Sequence, residues 1–331
     1  MPEPRQATFG WATADLIHLD RLAPGLIGRV MTVSPRRRQA IFAVIASRAY
    51  THIGQVDDAT LDAELAHILR QERAAEILAY AFGAVPEGLM GTLEKFDVGP
   101  MPTSDAYEKL RLVFTDPANR AKADLLARVT TINEGKLAVI DALDPRWRIE
   151  TVLDRINLAM AARELNRAMA FVQAACSKAT DETLVRALSR LPAERSLADL
   201  VTRYLRRADR FPDQPVNATQ ELRPLIGAED FLRTGLRYRN CLRDRIGDAL
   251  TGRAAFIEFR GEAILELHPL AGGFGWLLEE VHVARNDFVP LDLRRDAEAA
   301  CLQAGVHHVD HRAGGSDIFR WCRLLQGHAA A

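Results

Sequence analysis

Apolar residues recur at helical spacing through the first two-thirds of the chain. One helix begins at Ser34-Pro35, an N-cap followed by a residue favoured at the first helical position. The same periodicity predicts further helices at 61–69, 74–83, 104–115, 119–142, 149–175, 181–191 and 196–209. The segment 149–175 is apolar over much of its surface, which is typical of a helix at the centre of a bundle. No run of β-branched residues interrupts this region, so we predict a helical domain over residues 1–215.

A different pattern follows the helix-breaking sequence Phe211–Pro215. Apolar and polar residues alternate there in three segments, as they do in strands: 254–259, 263–268 and 276–283. Helices are predicted around them at 228–250, 292–304 and 316–326. We therefore predict a mainly α protein with a small α+β module over residues 225–331. In that module a three-stranded antiparallel meander packs on helices.

The loop between the first two strands decides which side chains share a face of the sheet. A two-residue turn at Arg260-Gly261 would place Glu262 and Glu266 among apolar residues, whereas a three-residue loop keeps the apolar residues together. We therefore predict the three-residue loop. The apolar face is then Ala255, Ile257, Phe259, Ala263, Leu265, Leu267, Leu277, Val281 and Val283. The opposite face carries Phe256, Glu258, Ile264, Glu266, His268, Leu278, Glu280 and His282.

Three carboxylates and two imidazoles on the second face predict a polar pocket beneath the preceding helix. The alternative is a half-solvated face, which antiparallel sheets usually have. Cys241 lies on that helix, and it would be a nucleophile if His268 or His282 lay within hydrogen-bond reach. Glu266 or Glu280 would then orient the imidazole. A small buried thiol with no chemical role is the other interpretation of Cys241.

Four stretches of the C-terminal third carry a family resemblance. Leu236–Leu242, Ala255–Phe259, Ile264–Leu267 and Val283–Asn286 resemble the PcfJ-like family, which is found with conjugative plasmids, phages and other mobile elements. The resemblance covers about 85 residues, from Leu225 to Asp310, and leaves the helical region unmatched. It implies a genetic context more than a particular reaction.

The family's pattern is a cysteine in a helix, a glutamate on the second strand and an asparagine after the third. The resemblance implies that Cys241, Glu266 and Asn286 hold these positions. The chain departs from the pattern at Asn240, where the family often has histidine, and at Ala284, where it often has glycine. With the imidazole of the polar face included, the candidate catalytic set is Cys241, Glu266, His282 and Asn286.

Arginines give a second candidate function. The chain has a net charge of −1, so any preference for nucleic acid must come from a local patch. Such a patch is predicted at Arg233, Arg237, Arg239, Arg243 and Arg245. Arginine is abundant throughout this chain, so the same stretch is also compatible with ordinary solvated side chains. Arg36-Arg37-Arg38 lies at a helix N-terminus, where the dipole disfavours cations, and it predicts either a phosphate or acidic partner or solvated side chains.

Other features limit the location and the cofactors. No stretch approaches the ~20 apolar residues that span a bilayer, and residues 1–9 do not resemble a secretory signal. The four cysteines are far apart in the sequence, which favours reduced thiols and a cytoplasmic protein with no membrane contact. His307, His308 and His311, flanked by Cys301 and Cys322, fit no standard zinc spacing, so we predict neither a metal nor a cofactor.

Three functions follow from these patterns. The first is an accessory protein of mobile genetic elements that binds nucleic acid or a protein partner of the same element. The second is a cysteine-dependent hydrolase or transferase that uses the polar face of the sheet. The third is a helical scaffold for protein assembly.

Overall fold

The structure is a computed structural model of the 331-residue chain, and it describes residues 9–51 and 58–308. The α-helices in these ranges are α1 Thr13–Leu22, α2 Leu26–Thr32, α3 Pro35–Thr51, α4 Asp58–Gln71, α5 Ala74–Phe82, α6 Leu89–Leu93, α7 Asp105–Thr115, α8 Arg120–Leu126, α9 Glu134–Ala142, α10 Glu150–Leu153, α11 Ala159–Ala175, α12 Asp181–Ser189, α13 Leu197–Leu205, α14 Ala228–Tyr238, α15 Ile246–Leu250 and α16 Leu291–Gln303. The strands are β1 Leu222–Pro224, β2 Ala255–Phe259, β3 Ala263–Pro269, β4 Trp276–His282 and β5 His307–His308. None of the described helices is long and apolar enough to cross a bilayer. The predicted helix 316–326 lies outside the described residues.

The chain divides into two compact units. The first contains the described residues up to Arg167 together with Val185–Leu191, and the second contains Ala168–Leu184 and the described residues from Pro192 onward. The boundary predicted between residues 215 and 225 therefore falls inside the second unit. Residues before the helix-breaking sequence belong to the second unit because they share its core. Ala175 and Ala208 lie in the same buried cluster as residues of α14 and the sheet.

Two long helices predicted from periodicity are interrupted in the structure. The segment 119–142 forms α8 and α9, and 149–175 forms α10 and α11 with a turn over 154–158. This turn passes close to the start of α9, since a Cβ on Gly135 would lie 2.5 Å from the carbonyl oxygen of Asn157. Of the predicted apolar stripe, Ala162, Leu165, Met169 and Val172 are buried, whereas Leu158 in the turn is 65% exposed. Periodicity identified the buried stripe but not the turn that interrupts it.

The arginine triplet at the start of α3 stabilises neighbouring helices. The guanidinium of Arg38 is buried and donates hydrogen bonds to the carbonyl oxygens of Val30, Met31 and Val33 at the end of α2, at 2.7–3.2 Å. Arg37 donates in the same way to the last carbonyls of α4, and Arg36 pairs with a glutamate. Helix ends leave carbonyls without intrahelical partners, and cations there are favourable. Contacts within the fold therefore account for this triplet, contrary to both predicted alternatives.

A five-stranded mixed sheet forms the centre of the second unit. Its strand order is β1-β2-β3-β4-β5, with antiparallel pairing from β1 to β4 and parallel pairing between β4 and β5. The three predicted strands are present as β2, β3 and β4, and their antiparallel order is as predicted. The predicted sheet has too few strands, because the prediction omitted the edge strands β1, of three residues, and β5, of two residues.

The predicted three-residue loop between β2 and β3 is confirmed. Phe259 pairs with Ala263, and the backbone N–H of Glu262 donates to the carbonyl oxygen of Phe259 at 2.9 Å. Arg260 and Gly261 in the turn both have positive φ, as the tight primed hairpin turns require. The apolar residues of β2 and β3 consequently share one face, in the register expected from the sequence.

One assignment on β4 is wrong because of a β-bulge. The register between β3 and β4 shifts between Glu266 and Leu267, so that Glu266 still faces Glu280 while Leu267 faces Leu278. Leu278, predicted for the polar face, therefore packs in the apolar core instead of Leu277. An extra residue in one strand reverses the alternation beyond it, and simple period-2 counting does not foresee this.

Both faces of the sheet are covered. The face with Ile257 and Leu265 packs on α16 through Ala297 and Cys301. The opposite face buries Phe256 and Ile264 under apolar residues of α14, α15 and the turn between them. Most of this face is therefore buried, with Glu280 exposed at its margin, and polar side chains on it lie beside a buried apolar cluster.

Candidate functional site

The helix predicted over 228–250 is broken where the candidate nucleophile lies. α14 ends at Tyr238, and Arg239 adopts a left-handed conformation with φ of 51°. The backbone N–H of Asn240 donates to the carbonyl oxygen of Gly235, and that of Arg239 donates to Leu236. This pattern is a Schellman motif, in which glycine usually occupies the left-handed position. Because arginine occupies it here, no residue type marked the break in the sequence.

The turn after α14 folds back closely on the helix. A Cβ on Gly235 would lie 3.4 Å from the backbone nitrogen of Arg243, an ordinary van der Waals distance, so the turn packs directly on the helix. The side-chain oxygen of Asn240 accepts a hydrogen bond from the backbone N–H of Leu242 at 3.1 Å and fixes the first residues of the turn. A short 3-10 helix over Leu242–Arg245 then leads into α15. Cys241 is thereby held in an exposed turn rather than inside a helix.

This turn and the polar face of the sheet enclose a pocket of about 280 Å³. The pocket is lined by Asn240, Cys241, Leu242, Arg245, Phe256, Ile264, Glu266, Glu280, His282 and Asn286. All four predicted catalytic residues are among them, contributed by the turn, β3, β4 and the loop after β4. The structure brings all four to one pocket, as the pocket hypothesis requires, but it shows no hydrogen bond between the Cys241 thiol and either imidazole, so their catalytic role stays a prediction.

The thiols of the described residues differ in accessibility. Cys241 is exposed, whereas Cys176 and Cys301 are buried. Burial raises the pKa of the Cys301 thiol to about 12, and the nearby Glu298 adds to the effect. A thiol must ionise to act as a nucleophile, so Cys301 is unsuited to such chemistry. Cys241 therefore combines exposure with a position in a polar pocket.

Glu266 is the central carboxylate of the pocket and is 8% exposed. Its Oε1 accepts hydrogen bonds from the guanidinium of Arg245 and from Nε2 of His268, the latter at 2.8 Å. Its Oε2 lies 3.1 Å from Nε2 of His282. Three nitrogen groups therefore surround one carboxylate. Arg245 also lies 3.1 Å from Asp248.

The protonation state of Glu266 follows from these partners. Burial opposes ionisation and raises its pKa, but hydrogen bonds from His268 and His282 and the charge of Arg245 outweigh burial and lower the pKa to about 2. Glu266 is therefore ionised near neutral pH and can only accept hydrogen bonds. Each imidazole must then donate from Nε2, which in the neutral tautomer leaves the Nδ1 lone pair free.

Backbone strain accompanies the pocket. Four residues other than glycine have positive φ in the described chain: Arg239, Arg260, Arg285 and Asn286. One of the four belongs to the β2–β3 turn, and the other three lie in or directly beside pocket-lining segments. A left-handed conformation costs such residues about 1–2 kcal/mol and occurs preferentially at functional sites. This is a second feature, independent of the side-chain chemistry, that distinguishes the pocket.

Ion pairs occupy most of the predicted nucleic-acid-binding arginines. Arg233 pairs with Asp230 at 2.7 Å, and Arg243 lies 3.7 Å from Asp244. The remaining paired residues, Arg237 and Arg245, contact the buried carboxylates Glu258 and Glu266 respectively. Arg239 is exposed and forms no ion pair with any described residue. Nucleic-acid binding stays a prediction, and four of the five arginines on which it rested have a carboxylate partner.

A second buried carboxylate on the same face was not assigned a role from the sequence. Glu258 on β2 is 4% exposed and accepts hydrogen bonds from Nε of Arg223 at 2.8 Å and from the hydroxyl of Tyr238 at 3.1 Å. Arg237 completes its set of partners. This cluster joins β1, β2 and α14 and does not line the pocket. We regard it as the structural counterpart of the Glu266 cluster.

No group of histidine, cysteine and carboxylate side chains suited to a metal ion occurs among the residues that the structure describes. His307 and His308 form β5, whereas His311 and Cys322 lie outside the described residues. Comparisons with family models, with curated proteins and with solved structures found no match to this chain. The PcfJ-like resemblance and its mobile-element context therefore stay predictions.

Proposed function

We propose that the second unit contains a cysteine-dependent active site that transfers acyl groups, to water or to another acceptor. The observation that carries this proposal is the convergence of Cys241, Glu266, His282 and Asn286 on one pocket of about 280 Å³. A pocket of this size is at the lower limit for a small ligand, which favours a small substrate or one side chain of a larger one.

In the proposed reaction His282 takes the proton of the Cys241 thiol at Nδ1, and the thiolate attacks the carbonyl carbon of an ester, thioester or amide. The imidazolium returns the proton to the leaving group as the carbon–heteroatom bond breaks. Water, deprotonated by His282, then cleaves the thioester and releases the acid and the thiol. Glu266 holds the ring and stabilises the imidazolium without changing protonation state.

The pocket contains two asparagines, and one of them, Asn286, suits the developing oxyanion. The side-chain oxygen of Asn240 accepts a hydrogen bond from the backbone N–H of Leu242 and holds the turn. The side chain of Asn286 forms no hydrogen bond with any other described residue, so its amide group is available to a substrate. Amide N–H groups are common donors to such oxyanions.

The alternative predictions have less support. Nucleic-acid binding by an accessory protein would rest mainly on Arg239, since the neighbouring arginines have carboxylate partners. A helical scaffold does not account for an exposed cysteine that shares a pocket with His282 and the buried Glu266. An acyl-transfer site accounts for this arrangement.

The test compares the full-length protein with Cys241→Ala and His282→Gln on p-nitrophenyl acetate. We expect the parent protein to release a burst of about one p-nitrophenolate per chain, as acyl-enzyme formation requires. Cys241→Ala should show no burst, and His282→Gln should show one that is at least tenfold slower. Cys176→Ala, which removes a buried thiol, is the matched control and should behave as the parent. A burst of equal size in Cys241→Ala would disprove the proposal.

A further inference from the structure

His268 is an imidazole that the proposed reaction does not use. It does not line the pocket, although its Nε2 lies 2.8 Å from the carboxylate at the centre of the site. His268 and Glu266 lie on the same strand, on either side of the bulge that shifts the β3–β4 register. A buried carboxylate with two imidazoles and one guanidinium has more donors than ion pairing alone requires, so the second imidazole calls for an explanation.

The two carboxylate oxygens of Glu266 have different numbers of hydrogen-bond partners. Oε1 accepts from Arg245 and His268, and Oε2 faces Nε2 of His282 at 3.1 Å. Rotation of the carboxylate would break both contacts to Oε1. These two donors therefore fix the orientation of Glu266 and keep Oε2 directed at the imidazole that lines the pocket.

A proton relay from His268 through Glu266 does not fit this geometry. The pKa of Glu266 is lowered to about 2, despite burial, by its hydrogen bonds to both imidazoles and by Arg245. At pH 7 only about one carboxylate in 10⁵ would hold the proton. Glu266 is thus an anchor between the two rings rather than a carrier, and the effect of His268 on His282 must be one of orientation.

We propose that His268 is a positioning residue that, together with Arg245, holds Glu266 so that His282 keeps its proton on Nε2 and presents Nδ1 as the base. This inference rests on the proposed function, because it assigns His282 the role of base. Other charged groups also face the cluster: Glu280 lies 3.9 Å from His282 on β4, and Asp248 of α15 contacts Arg245. Both carboxylates are present in every variant tested below, so they cannot cause a difference between the variants.

The first test measures the rate of Cys241 alkylation by iodoacetamide between pH 5 and 9 in the full-length protein. His268→Phe removes the donor, and we expect about a tenfold lower rate at pH 7 and a pH profile displaced from that of the parent. His268→Gln keeps an N–H donor and should recover most of the rate. His307→Phe, an exposed change on β5, is the matched control and should leave the profile unchanged.

The outcomes separate the two proposals. If His282→Gln alkylates as fast as the parent, the proposed function is wrong. If His282→Gln is slow while His268→Phe has the parent's rate and profile, the function stands and the positioning role is disproved. Nitrogen-15 NMR of the unmutated protein gives a check that does not depend on whether a variant folds. We expect the neutral rings of His268 and His282 both to carry their proton on Nε2. An Nδ1–H tautomer at His282 would overturn the inference.

Discussion

Replacing Glu266 by glutamine tests the electrostatic account of the pocket most directly. The pKa of Glu266 falls from its ordinary value of 4.5 to about 2 in the folded protein, because two imidazoles and Arg245 outweigh the penalty of burial. A folded-state pKa below the unfolded value stabilises the protein above the unfolded pKa, and this stabilisation is lost as the pH falls through the folded one. A difference of about 2.5 in pKa corresponds to about 3 kcal/mol.

Urea unfolding followed by circular dichroism between pH 7 and pH 2.5 measures this contribution. We expect the free energy of unfolding of the parent to fall, relative to Glu266→Gln, by about 1.4 kcal/mol per pH unit below pH 4.5. Above pH 5 Glu266 is ionised in both states, so its own ionisation no longer changes this difference. Glu280→Gln is the matched control, because Glu280 faces Glu266 across the strand pair but its side chain is 60% exposed.

Parallel pH dependences for the parent and Glu266→Gln would refute the reasoning. They would mean that Glu266 has the same affinity for protons in the folded and unfolded chains. A large pH-dependent difference for Glu280→Gln would also contradict it, because the effect would then not depend on burial and the surrounding donors.

Two further predictions concern the arginines. Arg38→Met should lower the free energy of unfolding of the first unit by at least about 3 kcal/mol, because several helix-end carbonyls lose a buried donor. Arg36→Met, which removes an exposed ion pair, should lower it by at most about 1 kcal/mol. Urea unfolding distinguishes them, and equal effects would contradict the capping role. Arg237→Leu should cost about 1.5–3 kcal/mol, because a buried carboxylate loses one of its partners, and Arg239→Leu should cost less than about 0.5 kcal/mol. The thermal midpoint of Arg237→Leu should therefore be lower than that of Arg239→Leu. Equal midpoints would mean that the ion pair of Arg237 contributes nothing to stability. A nucleic-acid-binding assay should use Arg239 in either case.

The amino-acid sequence determined those features that depend on local pattern. Alternation defined β2, β3 and β4, and the need to keep apolar residues together fixed the three-residue loop after Phe259. Because side chains alternate strictly across a strand, the same pattern placed Glu258, Glu266 and His282 on one face. The pocket could be foreseen from that register together with the position of Cys241 just before the sheet.

Features that depend on contacts between distant segments were not visible in the sequence. The edge strand β1 has three residues and includes Pro224, and only its pairing with β2 makes it a strand. The break after α14 uses Arg239 in a conformation that usually signals glycine, so no residue type marked it. The bulge at Glu279 on β4 likewise reversed the assignment of Leu278 without a local signature.

The partners of charged side chains were decided by tertiary structure alone. Arg38 and Arg245 look alike in the sequence, as members of basic stretches at helix ends. In the fold the first caps the carbonyls of α2 and the second holds a buried carboxylate. The sequence by itself determined which side chains could ionise and which face of the sheet they occupied. Only the folded chain decided which charges meet, because a long flexible side chain reaches partners that no sequence spacing specifies, and burial selects those that must be paired.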